Sequence, residues 1–151
     1  SRLGMPADRT MRIAQQLYEG VNLPGEGSVG LITYMRTDST NLSGEAIKLA
    51  RSYLEEKIGK EYLPEKPRFY SSRNQSAQEA HEAIRPTDIS RSPKELKSFL
   101  TEEQFKLYEM IWRRTLACQM TSAVYDVVSL DLEIGSNENI FRANGHTIKF
   151  P

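Results

Sequence analysis

The sequence predicts a mainly helical α+β fold: a helical domain over residues 1–120, then a few antiparallel strands over 121–151. Two observations predict it. Up to about residue 120 the apolar residues recur at helical spacing, and Ser, Thr and Pro stand where helices begin. Beyond that point the spacing switches to alternation, with Val128, Leu130, Leu132 and Ile134 on one face of a half-buried strand.

The elements follow in order. Met11, Ala14, Leu17 and Tyr18 share a helical face, so a helix is expected over about 6–20, with Pro6 near its first turn. Asn22 to Ser28 carries Pro24, Gly25 and Gly27 and reads as loop. Val29 to Tyr34 is a short apolar run ending in β-formers, read as a strand. Ser43 ahead of Ala46, Ile47, Ala50 and Leu54 marks an N-capped helix over about 44–58. Residues 59–76 are polar, contain Pro64 and Pro67, and read mostly as loop. Ala77 to Ile84 makes two turns of helix, stopped by Arg85-Pro86. Ser92-Pro93 opens a short helix through about 99. Thr101 and Gln104 form a capping box for the strongest helix, about 102–120, with Phe105, Tyr108, Trp112 and Leu116 on one face. After the alternating strand, Gly135 to Asn139 is a turn. Ile140–Ala143 and Thr147–Phe150 then flank Asn144-Gly145, a favoured hairpin dipeptide. Three short strands bury little alone, so strands outside this chain are expected to complete their sheet.

Composition bounds the function. Twenty Lys and Arg balance twenty Asp and Glu over 151 residues. With net charge zero there is no global basic field to steer a polyanion, so such contacts must be local or come from other domains. Cys118 is the one cysteine, which excludes an internal disulfide and a multi-cysteine zinc site. It fits a cytosolic compartment. No stretch reaches the apolar length of a membrane span, and no signal peptide is read. Both ends, Ser1-Arg2 and Phe150-Pro151, read as cut from something larger.

Two runs carry candidate chemistry. The first is Gly30 to Leu42, with Tyr34, Arg36, Thr37, Asp38, Ser39, Thr40 and Asn41 close together. A phenol has a pKa near ~10, so a phenolate leaves phosphorus far more readily than a serine alkoxide does. An aryl phosphodiester can therefore be reversed by a sugar hydroxyl, with no nucleotide cofactor. A nearby cation favours the phenolate and the charge that builds on phosphorus. On a strand, residues two apart share a face, so Tyr34 and Arg36 could both face one phosphate. Thr37, Ser39 and Thr40 offer hydroxyl donors and Asn41 an amide for phosphate oxygens. Asp38 opposes a phosphate directly and reads as an orienter of Arg36 or as a helix cap. Alone, a Thr-Tyr-Met-Arg tetrapeptide is more often a strand end packed on a core.

The second run is Ala77 to Thr87. Here His81 and Arg85 lie four apart and would share a helical face, a titratable donor beside a fixed cation. Glu79, His81 and Glu82 do not have the spacing of a known metal-ligand motif. Asp131 and Glu133 place two carboxylates on one face of a strand and read as a solvated face.

Together these runs resemble the two best-known signatures of the type IA DNA topoisomerases, and within them the bacterial topoisomerase I family. Thr10 to Gly20 and Phe105 to Ala117 resemble the helices before and after the tyrosine segment. The resemblance implies that Tyr34 is the nucleophile, joining the 5′ phosphate of a cut single strand and leaving a 3′ hydroxyl. Arg36 would stabilise the scissile phosphate. His81, with Thr37, Asp38, Ser39 and Arg85, would contact the DNA. It further implies a helical domain similar to the winged-helix fold of catabolite activator protein, followed by strands of an arch domain. The partners implied are single-stranded DNA and the Toprim and arch domains of the same polypeptide, in the bacterial cytoplasm at the nucleoid. Magnesium would be bound by an acidic cluster in the Toprim domain; no metal ligand and no cofactor are expected within these residues. The family's zinc segments have no counterpart here. Such a fragment would lack the metal centre and would be inactive alone. One departure stands out: Tyr70-Ser71-Ser72-Arg73 has arginine where members often carry lysine, which keeps the charge and changes the geometry.

Two other readings compete. Topoisomerase III and reverse gyrase share the tyrosine, but topoisomerase III more often has Thr-Tyr-Pro-Arg. A non-catalytic winged-helix module would need a basic recognition helix. The helix at 44–58 mixes Lys48, Arg51 and Lys57 with Glu45, Glu55 and Glu56, which suits a solvated face.

Overall fold

A computed structural model describes residues 3–70, 81–133, 135 and 140–150. The fold is mixed α+β, with helices before residue 120 and paired strands after it. The chain divides into two compact units, Ser1–Met120 and Thr121–Pro151.

Among its described residues the first unit holds four α-helices: α1 Ala7–Glu19, α2 Gly44–Lys57, α3 Pro93–Leu96 and α4 Glu102–Ala117. Ile13, Ala14 and Leu17 of α1 pack with Leu107 and Tyr108 of α4, and Leu23, Leu31, Ile32 and Leu96 close the same core. Arg9 pairs with Glu103 at 2.8 Å on the rim of that contact. Ala50 and Leu54 of α2 meet Leu116 of α4 in a second cluster, where the Tyr53 and Trp112 rings stand edge to face at 5.6 Å. The caps read in the sequence are formed. Ser43 Oγ accepts from Ala46 N–H, and Thr101 and Gln104 exchange both bonds of a capping box. A second box, Ser92 with Glu95, starts α3.

Four local expectations are corrected. Asn22 to Ser28 is not simply loop: β1 Val21–Leu23 pairs antiparallel with β2 Gly27–Val29. The reversal is possible because Gly25 and Gly27 sit at φ +79° and +78°, where a Cβ is unfavourable. The strand expected over Val29 to Tyr34 stops at Val29, and beyond it only Ile32 keeps a bridge, to Pro86. Its hydrogen bonds go instead to the end of α1 and to residues 83–87. Of the helix expected over 77–84, residues 77–80 lie outside the described residues and 81–84 are not helical. Ala83 N–H donates to Asn41 O at 2.7 Å rather than to a preceding turn. Finally, α3 ends at Leu96 and α4 at Ala117, each followed by tighter turns.

The second unit holds β3 Val124–Glu133 and β4 Ile140–Phe150, paired antiparallel with Glu133 opposite Ile140. Two long strands replace the three short ones expected. Asn144-Gly145 is not a turn but lies inside β4, opposite Ser129 and Val128. The reversal falls between 133 and 140, where only Gly135 is described, at φ +67°. Every residue of β3 is exposed, because a two-stranded sheet has no layer to bury a face against. Asp131 and Arg142 face each other across the strands and form a two-pronged ion pair at 2.6 and 2.8 Å.

Candidate functional site

Two chain segments make the site by pairing with each other. The first leaves β2 and passes through residues 30–41; the second is 81–87. Thr87 N–H donates to Leu31 O at 3.1 Å, and Thr33 N–H donates to Arg85 O at 2.9 Å. The Thr33 hydroxyl bolts them together: it accepts from Arg85 N–H and donates to Ala83 O, both at 2.9 Å. Thr87 Oγ1 donates to Gly30 O at 2.7 Å. At Gly30 the backbone passes so close to α1 that a Cβ would sit 2.6 Å from Tyr18 O. That contact fixes where the next residues emerge.

Tyr34 emerges from this frame with its side chain half in solvent, 49% exposed. Its ring stands edge-on to Tyr18 at 5.3 Å between centroids and is tilted against His81 at 6.2 Å. Arg36 Nη1 lies 2.9 Å from His81 Nε2, and Arg36 Nε lies 3.0 Å from an Asp38 carboxylate oxygen. A guanidinium has donors only, so this contact is a hydrogen bond with Nε2 accepting. The structure thus gathers Tyr34, Arg36, Asp38 and His81. Tyr108 is a useful contrast. It is fully buried, its hydroxyl donates to Arg91 O at 2.8 Å, and burial drives its phenol pKa far up.

His81 and Arg85 do not share a helical face as the spacing predicts, because residues 81–85 are not helical and hydrogen-bond to the first segment instead. Arg85 turns inward and grips Glu82 with a fork of 2.8 and 2.9 Å, and Nη1 donates to Pro86 O at 2.9 Å. Glu82 also accepts Ser43 N–H at 2.9 Å, tying the segment to the N-cap of α2. Burial raises the Glu82 pKa, but the bonds from Arg85 and Ser43 more than offset it and leave it below the usual carboxylate range. Thr37 and Ser39 line a cavity next to Arg36, and Ser39 Oγ also accepts Asn41 N–H at 3.1 Å.

Sequence reasoning gave no place in the site to Tyr18 or Thr33. Tyr18 was visible only as an apolar position of α1, and nothing in a linear reading links Thr33 to residue 85. Glu79 and Arg73 lie outside the described residues. Among the described residues no group of three His, Cys, Asp or Glu is placed to hold a metal ion. No described helix is long and apolar enough to cross a membrane.

Comparison with known proteins places the chain in one class. Residues 1–151 match the family model described as DNA topoisomerase. DNA topoisomerase 1 of Rickettsia bellii is 50% identical over 149 residues, which cover 99% of this chain and 18% of that protein. The Xylella fastidiosa (strain Temecula1) DNA topoisomerase 1 is 49% identical over 147 residues, 97% of this chain and 18% of that protein. The solved full-length topoisomerase I of Thermotoga maritima superposes with a TM-score of 0.78 at 39% identity, covering 99% of this chain and 23% of that one. The chain belongs to the bacterial DNA topoisomerase family, of type IA. It spans about a fifth of the length of these relatives, 18% of the Rickettsia protein and 23% of the Thermotoga chain.

Proposed function

We propose that this chain supplies the nucleophilic half of a type IA topoisomerase active site. Tyr34 Oη attacks the phosphorus of a phosphodiester in single-stranded DNA. The tyrosyl O–P bond forms as the bond to the 3′ oxygen breaks; the phenolic proton is given up and the leaving oxygen takes one. A 5′ phosphotyrosine and a free 3′ hydroxyl result. Attack by that hydroxyl reverses the step and reseals the strand, so bond energy is conserved without a nucleotide.

Arg36 neutralises the charge that builds on the phosphate oxygens, and preorientation by Asp38 and His81 keeps the cost of aiming it small. His81 contacts the strand beside the break, Thr37, Asp38 and Ser39 flank it, and Arg85 holds residues 81–87 in place. One observation carries this reading: an exposed phenol, a guanidinium and an imidazole converge from segments 45 residues apart. In the longer parent, magnesium belongs to an acidic Toprim cluster outside these residues, and no step here passes through it. Residues 121–151 belong to the arch. The parent relaxes negatively supercoiled DNA at the nucleoid, and the 151-residue chain alone does not. Thr33-Tyr34-Met35-Arg36 favours topoisomerase I over topoisomerase III.

The test is Tyr34→Phe in the full-length parent, with a labelled single-stranded oligonucleotide. The covalent adduct should vanish while oligonucleotide affinity stays within about twofold, since a hydroxyl facing water contributes little to strand binding. An adduct that persists at another residue sinks the proposal.

A further inference from the structure

A cavity of about 310 Å³ lies beside the tyrosine site, between residues 36–42, the Tyr70 ring, Ile84 and the last turn of α4. Its lining differs from the chain as a whole. The chain is neutral, yet among the described residues the cavity wall carries two guanidiniums, Arg36 and Arg114, and no carboxylate. Arg114 is exposed and has no ion-pair partner among the described residues, whereas its neighbour Arg113 is held by Glu109 at 2.8 Å. Thr37 and Ser39 add hydroxyls at the mouth, and Leu42, Ile84 and Tyr70 give an apolar and aromatic wall. Tyr70 is fixed there by its hydroxyl, which donates to Cys118 O at 2.8 Å. The Arg114 guanidinium next to a flat apolar wall, with Arg36 on the same cavity though already paired to Asp38 at 3.0 Å, suits a group that is anionic at one end and aromatic at the other. The volume is at the lower end of ligand sites, enough for one nucleotide.

We infer that this cavity is a nucleotide subsite: it takes the nucleotide next to the scissile phosphate, with Arg114 on that nucleotide's own phosphate and its base against Tyr70 and Ile84. The inference rests on the proposed topoisomerase reading of Tyr34, and adds a phosphate contact from α4 that the tyrosine segment does not provide. Arg36 then serves two phosphates, and Arg114 sets the register of the strand relative to Tyr34.

Cys118 lines the same cavity and is the one cysteine of the chain, so its alkylation rate reports occupancy. Burial holds its thiol pKa up, so the reaction is run at mildly alkaline pH. In the 151-residue chain, thymidine 5′-monophosphate at about four times its Kd should slow alkylation about fivefold, as expected for simple occupancy. Inorganic phosphate at the same concentration should slow it far less. Arg114→Gln should abolish the protection, and Arg113→Gln should keep it. An unchanged rate with nucleotide, equal protection by phosphate, or full protection in Arg114→Gln overturns the subsite. Oligonucleotide binding, followed by fluorescence anisotropy in the same samples, separates the two claims. If the oligonucleotide binds and Cys118 stays unprotected, the subsite falls and the reading of Tyr34 stands. If neither is seen, both fall.

Discussion

Arg36 divides its guanidinium between Asp38 and His81, so the fold sets the direction of its charge. Lysine would keep the charge but not the planar fork. Arg36→Lys in the full-length parent is expected to slow single-turnover cleavage about ten- to hundredfold, the usual effect of one misdirected donor at a charged transition state. Oligonucleotide affinity should change much less; an unchanged cleavage rate would mean that charge alone suffices. Glu82 makes a second prediction at this scale. Its folded pKa is depressed, so its ion pair stabilises the fold above the ordinary carboxylate value of about 4.3, and that contribution is lost as pH falls through the folded value. Glu82→Gln should therefore lower the melting temperature at neutral pH and make the further loss on acidification shallower. Circular-dichroism melts between neutral pH and about pH 3 check this; an acid loss as steep as wild type would place the titrating group elsewhere.

At the scale of elements, helices were legible and their junctions were not. α1, α2 and α4 announce themselves because caps and apolar stripes are local signals, and Ser43, Thr101 and Gln104 do what their types predict. Thr101→Ala should cost about 1 kcal/mol, the ordinary value of an N-cap. Leu54→Ala, at a fully buried position, should cost about 2–5 kcal/mol in denaturant melts. The segments around the site were misread for a physical reason. Residues 31–34 and 81–84 each resemble an element that pairs with itself or with a near neighbour. Their actual partners are each other, about fifty positions away, and no periodicity encodes that. So the sequence pointed to Tyr34, Arg36 and His81 by residue type and resemblance, but offered Arg85 as the neighbour of His81, where the fold supplies Arg36. Asn144-Gly145 failed similarly: a dipeptide that favours tight turns is outweighed by nine consecutive pairings of β3 with β4.

At the scale of the whole molecule, the division at Met120 gives a prediction about independence. The first unit has its own two clusters of buried residues, whereas β3 and β4 bury nothing of β3. A chain ending at Met120 should keep a cooperative thermal transition. A peptide of 121–151 should show no stable strand signal, as two-stranded hairpins rarely hold alone. Cooperative melting of that peptide would contradict this. The pairing of residues 30–41 with 81–87 has one more consequence, and it concerns order in time. A ribosome releases Tyr34 well before His81, and Arg36 waits 45 residues for its partner. Until residue 87 has emerged, the tyrosine has only the end of α1 and the Tyr18 ring beside it. The nascent chain therefore exposes Tyr34 and Arg36 before His81 can join them, and the three side chains come together only when residues 81–87 pair with 30–41.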